Sequence, residues 1–386
     1  MAYDLIVIGA GIHGAAVAQA AAAAGYRTLV LEQYSQPASA TSSKSSKLVH
    51  GGLRYLESGQ IGLVRECLRE RRYLLGNAPE LVKLTPFHIP IYEDTRRRPW
   101  KVRLGLSLYA LLGGKGFRRV AAADWAALDG LRTNGLNTVL RYYDAQTDDA
   151  RLTRAVLASA RALGAEVQFD CTVERVVCEP EECRIFYRER NNIRQVPARS
   201  LVNASGPWVN SVLDHVEPAP QKLAIDLVQG THLLIPGKLQ RGMYYLEAPQ
   251  DQRAIFAMPW QGQILLGTTE SPFSGDPAGV QPTEKEIVYL LEVYNHYFKN
   301  RVARSQVIGA FAGLRVLPKG EVAAFSRSRD TLLHVDVSTC PRLLSIYGGK
   351  LTAHRATAEQ VVRKLAPLLP KRSKLADTRS LSLQGK

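Results

Sequence analysis

Residues 3–32 read YDLIVIGAGIHGAAVAQAAAAAGYRTLVLE, and the fold is decided there. Tyr3–Ile8 is a short apolar run, the pattern of a strand buried on both faces. Gly9-Ala10-Gly11 makes a tight turn, Ile12–Ala24 a helix of small residues, and Gly25 caps it. Thr28–Leu31 is a second strand ending at Glu32, which completes a βαβ opening. Gly9, Gly11 and Gly14 fit G-x-G-x-x-G. The first permits the turn, the second lets backbone approach a pyrophosphate, and the third lets the helix pack close to the strand. The helix N-terminus adds free N–H groups and partial positive charge. Glu32 stands where a carboxylate accepts hydrogen bonds from a ribose 2′-OH and repels a 2′-phosphate. The fingerprint predicts a dinucleotide site and leaves NAD and FAD both open.

Outward from that unit, helices are expected over 61–75, from Asp148 or Asp149 to Leu163, over 283–298 and over 351–368. Strand patterns fall at 168–179, 184–188, 196–204, 232–235, 243–247, 254–258, 264–267, 307–314, 332–337 and 343–346. A βαβ start, many strands in the middle and a closing strand–helix unit predict an α/β chain. It has a Rossmann-like dinucleotide domain interrupted by a mainly antiparallel β-sheet substrate domain. A ligand would lie between the two. The expected boundaries put residues 1–80, 140–215 and 330–370 in the dinucleotide domain and 81–139 and 216–329 in the substrate domain. Residues 371–386 are read as a polar basic tail.

At 386 residues the chain is long for a single core. Lys and Arg exceed Asp and Glu by 50 − 35 = 15, which favours anionic partners: phosphorylated substrates, acidic lipid or nucleic acid. No RNA-binding motif with stacking aromatics accompanies the charge, so no nucleic-acid partner is expected. Cys67, Cys171, Cys178, Cys183 and Cys340 show neither a CxxC pair nor metal-ligand spacing, so reduced thiols in a cytosolic compartment and no metal are expected. No signal peptide or bilayer-spanning stretch is evident. Residues 96–119 combine Arg96, Arg97, Arg98, Lys101, Arg103, Lys115, Arg118 and Arg119 with Trp100, Leu104, Tyr109 and Leu111, and carry no acid. This predicts a segment lying on an anionic membrane surface.

Residues 40–56 read ATSSKSSKLVHGGLRYL. YDAQTDDARL (143–152), LVNASGPWV (201–209), GTHLLIP (230–236), ILLGTTE (264–270), GLRVLP (313–318) and LLSIYGGKLT (343–352) follow. In this order they resemble the FAD-dependent glycerol-3-phosphate dehydrogenases of the glycine oxidase/D-amino-acid oxidase superfamily. The resemblance chooses FAD, in a DAO-type domain. It implies oxidation of sn-glycerol 3-phosphate to dihydroxyacetone phosphate, with electrons passed to membrane quinone from the cytoplasmic face. A flavin oxidase or dehydrogenase of the same fold acting on another hydroxy acid or amine is the alternative. Two departures stand out: relatives continue into a helical C-terminal domain, and Glu270 stands where they often have Asp.

The same resemblance implies the residue roles. Thr41, Ser42, Ser43 and Ser46 would line the FAD diphosphate and ring, and Val173 the adenine. Ala204 and Gly206 would pass the dinucleotide, and Gly349, Lys350, Leu351 and Thr352 would meet the flavin's pyrimidine end. The residues support the last placement, because a Lys beside a helix start stabilises negative charge there. His50, Arg54 and Tyr55 would border the substrate. His50 is the first candidate for the base that takes the C2 hydroxyl proton and His232 the second. Arg54, Arg315 and Arg329 would hold the phosphate, since a planar guanidinium matches phosphate oxygens.

Overall fold

The computed structural model describes residues 3–57, 59–320, 331–336 and 340–384. It opens with β1 (Tyr3–Ile8), α1 (Ile12–Ala23) and β2 (Thr28–Leu31), as the sequence predicts. Next come β3 (Leu48–Val49), α2 (Ile61–Asn77), β4 (Val82–Tyr92), α3 (Pro99–Leu111), β5 (Arg118–Arg119) and β6 (Leu136–Thr147). The chain returns through α4 (Asp149–Ala162), β7 (Glu166–Gln168), β8 (Cys171–Cys178), β9 (Cys183–Glu189), β10 (Asn192–Asn203), α5 (Val209–Leu213) and β11 (Val216–Glu217). A second excursion holds β12 (Ile225–Ile235), β13 (Met243–Glu247), β14 (Ala254–Trp260), β15 (Gln263–Gly267), β16 (Ser271–Phe273), α6 (Glu284–Tyr297) and β17 (Gly309–Pro318). β18 (Leu332–Asp336), β19 (Cys340–Tyr347) and α7 (His354–Leu365) follow.

One sheet is built around parallel neighbours in the order β19, β10, β1, β2, β7. Alternate residues of β1 explain its unbroken apolar run. Leu5 and Val7 pack with α1, α4 and α7, while Ile6 and Ile8 pack against β8–β10 and α5. The alanines of α1 leave room for α4 and α7 beside it. β10 is long enough to serve twice: residues 192–198 pair antiparallel with β9, and 198–203 run parallel to β1. The second sheet runs β16-β12-β15-β14-β13-β4-β6-β3, with β17 on β12 and β5 on β6. All its pairings are antiparallel except β13 with β4. α6 covers part of one face, and α2 and α3 pack on the other side.

The structure corrects several expectations. β4 and β6 are long strands, paired from Val82↔Thr147 to Tyr92↔Leu136, that the residue pattern did not suggest. Pro86 and Pro90 argue against a strand at β4, because proline cannot donate to a ladder. Here β13 pairs only with Phe87 and His88, between the two prolines. The expected boundary at 139/140 falls inside β6, because one continuous strand reaches from the second sheet to the core of α1, where Ala145 is buried.

The C-terminal segment is packed, not a free polar tail. Leu375 and Ala376 donate backbone N–H to Ala23 O at 2.8 and 3.1 Å, Arg372 pairs with Asp4 at 3.0 Å, and Leu383 is buried. Its apolar residues are too sparse to register as a pattern. Cys67, Cys171 and Cys183 carry buried free thiols. Cys178 departs from the expectation of reduced thiols, being disulfide-bonded.

α3 turns Val102, Leu106 and Tyr109 into the core and leaves Trp100, Leu104 and Leu111 63%, 65% and 83% exposed. Within the basic run, Arg97 is not available to a surface. Its guanidinium pairs with Glu57 at 2.8 Å and Glu247 at 2.7 Å. Among the described residues no helix is long and apolar enough to cross a membrane.

Candidate functional site

Four parallel strands deliver their carboxyl ends to one cavity of about 420 Å³. Gly9 and Gly11 follow β1, Glu32–Tyr34 follow β2, Ala204–Gly206 follow β10, and Gly348–Gly349 follow β19. Open α/β sheets bind ligands at this edge. The glycines are required by contact. A Cβ on Gly14 would lie 1.8 Å from Gly9 O, and one on Gly9, at φ +99°, would lie 2.8 Å from Ala204 O. Gly14 therefore acts through packing and is not part of the wall. Glu32 is buried and accepts from Ala10 N at 2.5 Å and Tyr34 N at 3.0 Å. Burial raises its pKa, and those backbone bonds oppose the rise. Besides facing the cavity, it braces the glycine turn. Val173, Tyr34 and Trp208 line the same space, with Tyr34 and Trp208 edge to face at 6.1 Å.

Thr41 and Ser42 line the cavity and are fixed by the protein. Thr41 Oγ1 donates to Leu314 O at 2.9 Å, and Ser42 Oγ accepts from Ile12 N at 2.9 Å, capping α1. Ser43 and Ser46 do not line it. Ser43 Oγ donates to Ala40 O at 3.0 Å, and Ser46 Oγ lies 2.8 Å from His232 Nε2. The loop is held from below by a pair that sequence reasoning missed. Lys47, at φ +60°, buries its ammonium between Ser43 O at 2.6 Å and Asp149 Oδ1 at 2.5 Å. Asp149 Oδ2 also takes Ser45 N at 2.9 Å and Ser45 Oγ at 2.6 Å. The signal available was the double acid at the start of α4. Asp148 is its N-cap, accepting from Arg151 N, which frees Asp149 to turn inward.

His50, Arg54, Tyr55, Lys350 and Thr352 come together although 300 residues separate the two groups. Thr352 Oγ1 bonds the backbone N–H and carbonyl of His50 at 3.1 and 3.2 Å. Lys350 Nζ lies 4.6 Å from the Tyr55 ring centre, and the Arg54 guanidinium 5.9 Å from it. Gly349 and Leu351, on either side of Lys350, line the cavity. The backbone behind this cluster is pinned: Gly51 N donates to Tyr109 OH at 2.9 Å, and Tyr109 OH donates to Asp144 at 2.6 Å. Arg71 pairs with the same carboxylate.

His232 is buried, stacked on Phe311 at 5.1 Å, and lies behind Ser46 rather than on the cavity wall. Burial, helped by the charges of Lys47 and Arg315, pushes its pKa down to about 3, so it is neutral at physiological pH. Arg315 does line the cavity. Its head is held by Glu270 at 3.1 Å and by Thr269 O at 3.3 Å, and Arg253 pairs with the same acid at 3.0 Å. The turn carrying Glu270 is fixed by Glu286. This acid accepts from Thr231, Thr269, Ser271, Gln229 and Thr283 at 2.6–3.1 Å. Burial opposes its charge, yet those donors hold its carboxyl below its usual pKa. Arg329 lies outside the described residues. Among the described residues, no cluster of three or more His, Cys, Asp or Glu could hold a metal ion.

A cavity at the strand ends, a glycine turn under a helix start and a polar loop along one side fit a dinucleotide. The chain matches the model of a family described as FAD dependent oxidoreductase over residues 4–355. It is 38% identical over 384 residues to the aerobic glycerol-3-phosphate dehydrogenase of Escherichia coli K12, covering 94% of this chain and 73% of that one. It is 37% identical over 382 residues to the D-erythritol 1-phosphate dehydrogenase of Brucella abortus, covering 95% and 74%. A solved glycerol-3-phosphate dehydrogenase from Bacillus halodurans complexed with FAD superposes with a TM-score of 0.78 at 26% identity, covering 99% of this chain and 68% of that one.

Proposed function

Because this chain belongs to the FAD-dependent oxidoreductase family, we infer that it oxidises sn-glycerol 3-phosphate at C2 to dihydroxyacetone phosphate. Bound FAD would supply a two-electron acceptor for the C2 hydride, and a base of this chain would take the hydroxyl proton. The observation that supports the reading is the packing of the 50–55 stretch against residues 350–352, beside Gly349 and Leu351 of the cavity wall: Lys350 lies over Tyr55 and Thr352 bonds the His50 backbone. His50 is the candidate base, since imidazole is matched to proton transfer near neutral pH. His232, enclosed behind Ser46, is the weaker one. Lys350 places positive charge where the electrons arrive. Arg54 and Arg315, with Arg329, would bind the phosphate. Glu270 neutralises part of the Arg315 charge.

In anaerobic mixing, glycerol 3-phosphate should bleach the protein's flavin absorption. The similarity to the Brucella enzyme makes D-erythritol 1-phosphate the informative second compound. Bleaching by that compound alone would move the substrate to a longer polyol phosphate. Bleaching only by an amine such as glycine would replace the reading with that of an amine oxidase.

We further infer that the protein docks through α3 on the cytoplasmic face of the membrane and passes electrons to quinone there. Trp100, Leu104 and Leu111 supply exposed apolar area, and Arg98, Lys101, Arg103, Lys115, Arg118 and Arg119 surround it with exposed charge. Each cation near an anionic surface adds about 1 kcal/mol. Replacing Trp100, Leu104 and Leu111 by Ser should release the flavin-loaded protein from phosphatidylserine-containing liposomes in co-sedimentation. Equal partitioning of variant and wild type would remove α3 as the docking element.

A further inference from the structure

His13 is the residue before Gly14 in the glycine fingerprint and sits in the first turn of α1. Its ring is part of the cavity wall. It lies directly under the Gly348–Gly349 turn: a Cβ on Gly349, whose φ is +113°, would stand 2.0 Å from His13 Nε2 and 2.6 Å from its Cε1. Only glycine fits over this imidazole. On the other side of the ring, Nδ1 is enclosed and has no hydrogen-bond partner among the described residues. Burial, with the neighbouring His354 adding to it, lowers the His13 pKa to about 4, so the ring carries a single proton at neutral pH. His354 is committed elsewhere, its Nδ1 lying 2.6 Å from Leu351 O.

The position of that proton follows from the surroundings. On Nδ1 it would make a buried donor with no acceptor, which costs the full desolvation of an N–H. On Nε2 it faces the turn and the cavity, where a ligand can accept it. The sheet identifies the part of the ligand. Glu32, the acid that marks the adenosine ribose in this fingerprint, follows β2, and Gly348 follows β19. Between β2 and β19 lie β1 and β10, so the two ends are three strand spacings apart, roughly 14 Å at about 4.8 Å each. The Gly348 end is therefore the flavin end.

We propose that His13 contacts the cofactor: its neutral imidazole donates a hydrogen bond from Nε2 to the flavin end of bound FAD and stabilises the negative charge that reduction places there. This rests on the cavity holding FAD and is independent of the substrate's identity. A residue in the GxGxxG motif then does more than shape the turn, and the glycine demanded at 349 is explained by the ring beneath it.

The test needs no substrate. Wild type, His13→Phe, His13→Ala and His13→Asn are stripped of flavin and checked for fold by circular dichroism. FAD is titrated back, and the loaded proteins are equilibrated with a redox dye of fixed potential. The Phe and Ala variants should bind FAD about tenfold or more weakly, and their oxidised-to-reduced ratio against the dye should rise by a similar factor, as for loss of a hydrogen bond to a charged group. Asn, which keeps an N–H donor, should recover part of both. His13→Ala carries the test if Phe collides with Gly349 and misfolds. Wild-type dye ratios in the folded Phe or Ala variant, with or without weaker binding, would mark His13 as packing only and overturn the proposal. Failure of wild type itself to bind FAD would sink the reading of the cavity instead.

Discussion

Replacing His50 by Asn is expected to slow reduction of bound FAD by glycerol 3-phosphate by about 10²–10⁴-fold, the usual effect of removing a general base. Asn is smaller but keeps a hydrogen-bonding edge, and the His50 backbone stays tied to Thr352. Flavin content and substrate affinity should therefore change far less than the rate. Anaerobic stopped-flow in the visible band of the oxidised flavin separates the rate from binding through its concentration dependence. His232→Asn is the control. His232 stays neutral and lies behind Ser46, so its variant should lose packing against Phe311 before it loses chemistry. A large rate loss in the His232 variant with a near-normal His50 variant would exchange the two assignments.

Lys47→Met should have the largest effect on stability. It leaves Asp149 buried with its cation gone, and breaking one partner of a buried ion pair typically costs about 3–5 kcal/mol. Asp149→Asn should be milder, because the amide can still accept from Ser45, though it no longer neutralises Lys47. The damage should reach the cofactor first. Lys47 holds Ser43 O and Asp149 holds Ser45, so both ends of the loop carrying Thr41 and Ser42 loosen together. Thermal melts with and without added FAD provide the measurement. Lys47→Met should melt well below wild type and, starting flavin-free, gain less than wild type from the same added FAD, because its affinity is lower. Retention of the wild-type melting temperature and flavin content would show that the pair is not what fixes the loop. In the double variant Lys47→Met/Asp149→Leu no charge is left buried, so the loss should be smaller than the sum of the two single losses.

Local chemistry made much of this protein legible from its sequence alone. The βαβ opening was readable because each signal lies within 32 residues: an apolar strand, a glycine turn, a small-residue helix and an acid after the second strand. The meander at β8–β10, the hairpins of the second sheet and α6 were readable for the same reason, since alternation and capping act over a few residues. Motif order also read residues 50–55 and 349–352 as neighbours, and in the structure Thr352 bonds the His50 backbone while Lys350 lies over Tyr55.

Tertiary structure decided what depends on partners distant in sequence. Proline content hid β4 until β6 paired along its whole length. Lys47 and Asp149 look like solvated charges one at a time. Only the approach of α4 to the serine loop makes them a buried pair, because desolvation forces each to find the other. Arg97 reads as one more surface cation until Glu57 and Glu247, 40 and 150 residues away, close on it. His13 is an unremarkable x in a glycine motif, and it becomes part of the cavity when β19 brings Gly349 over its ring. The pattern along the chain records which way each residue faces. What it meets there is set by packing between elements, where a charge or a ring nitrogen taken from water must be matched by whatever the other element supplies.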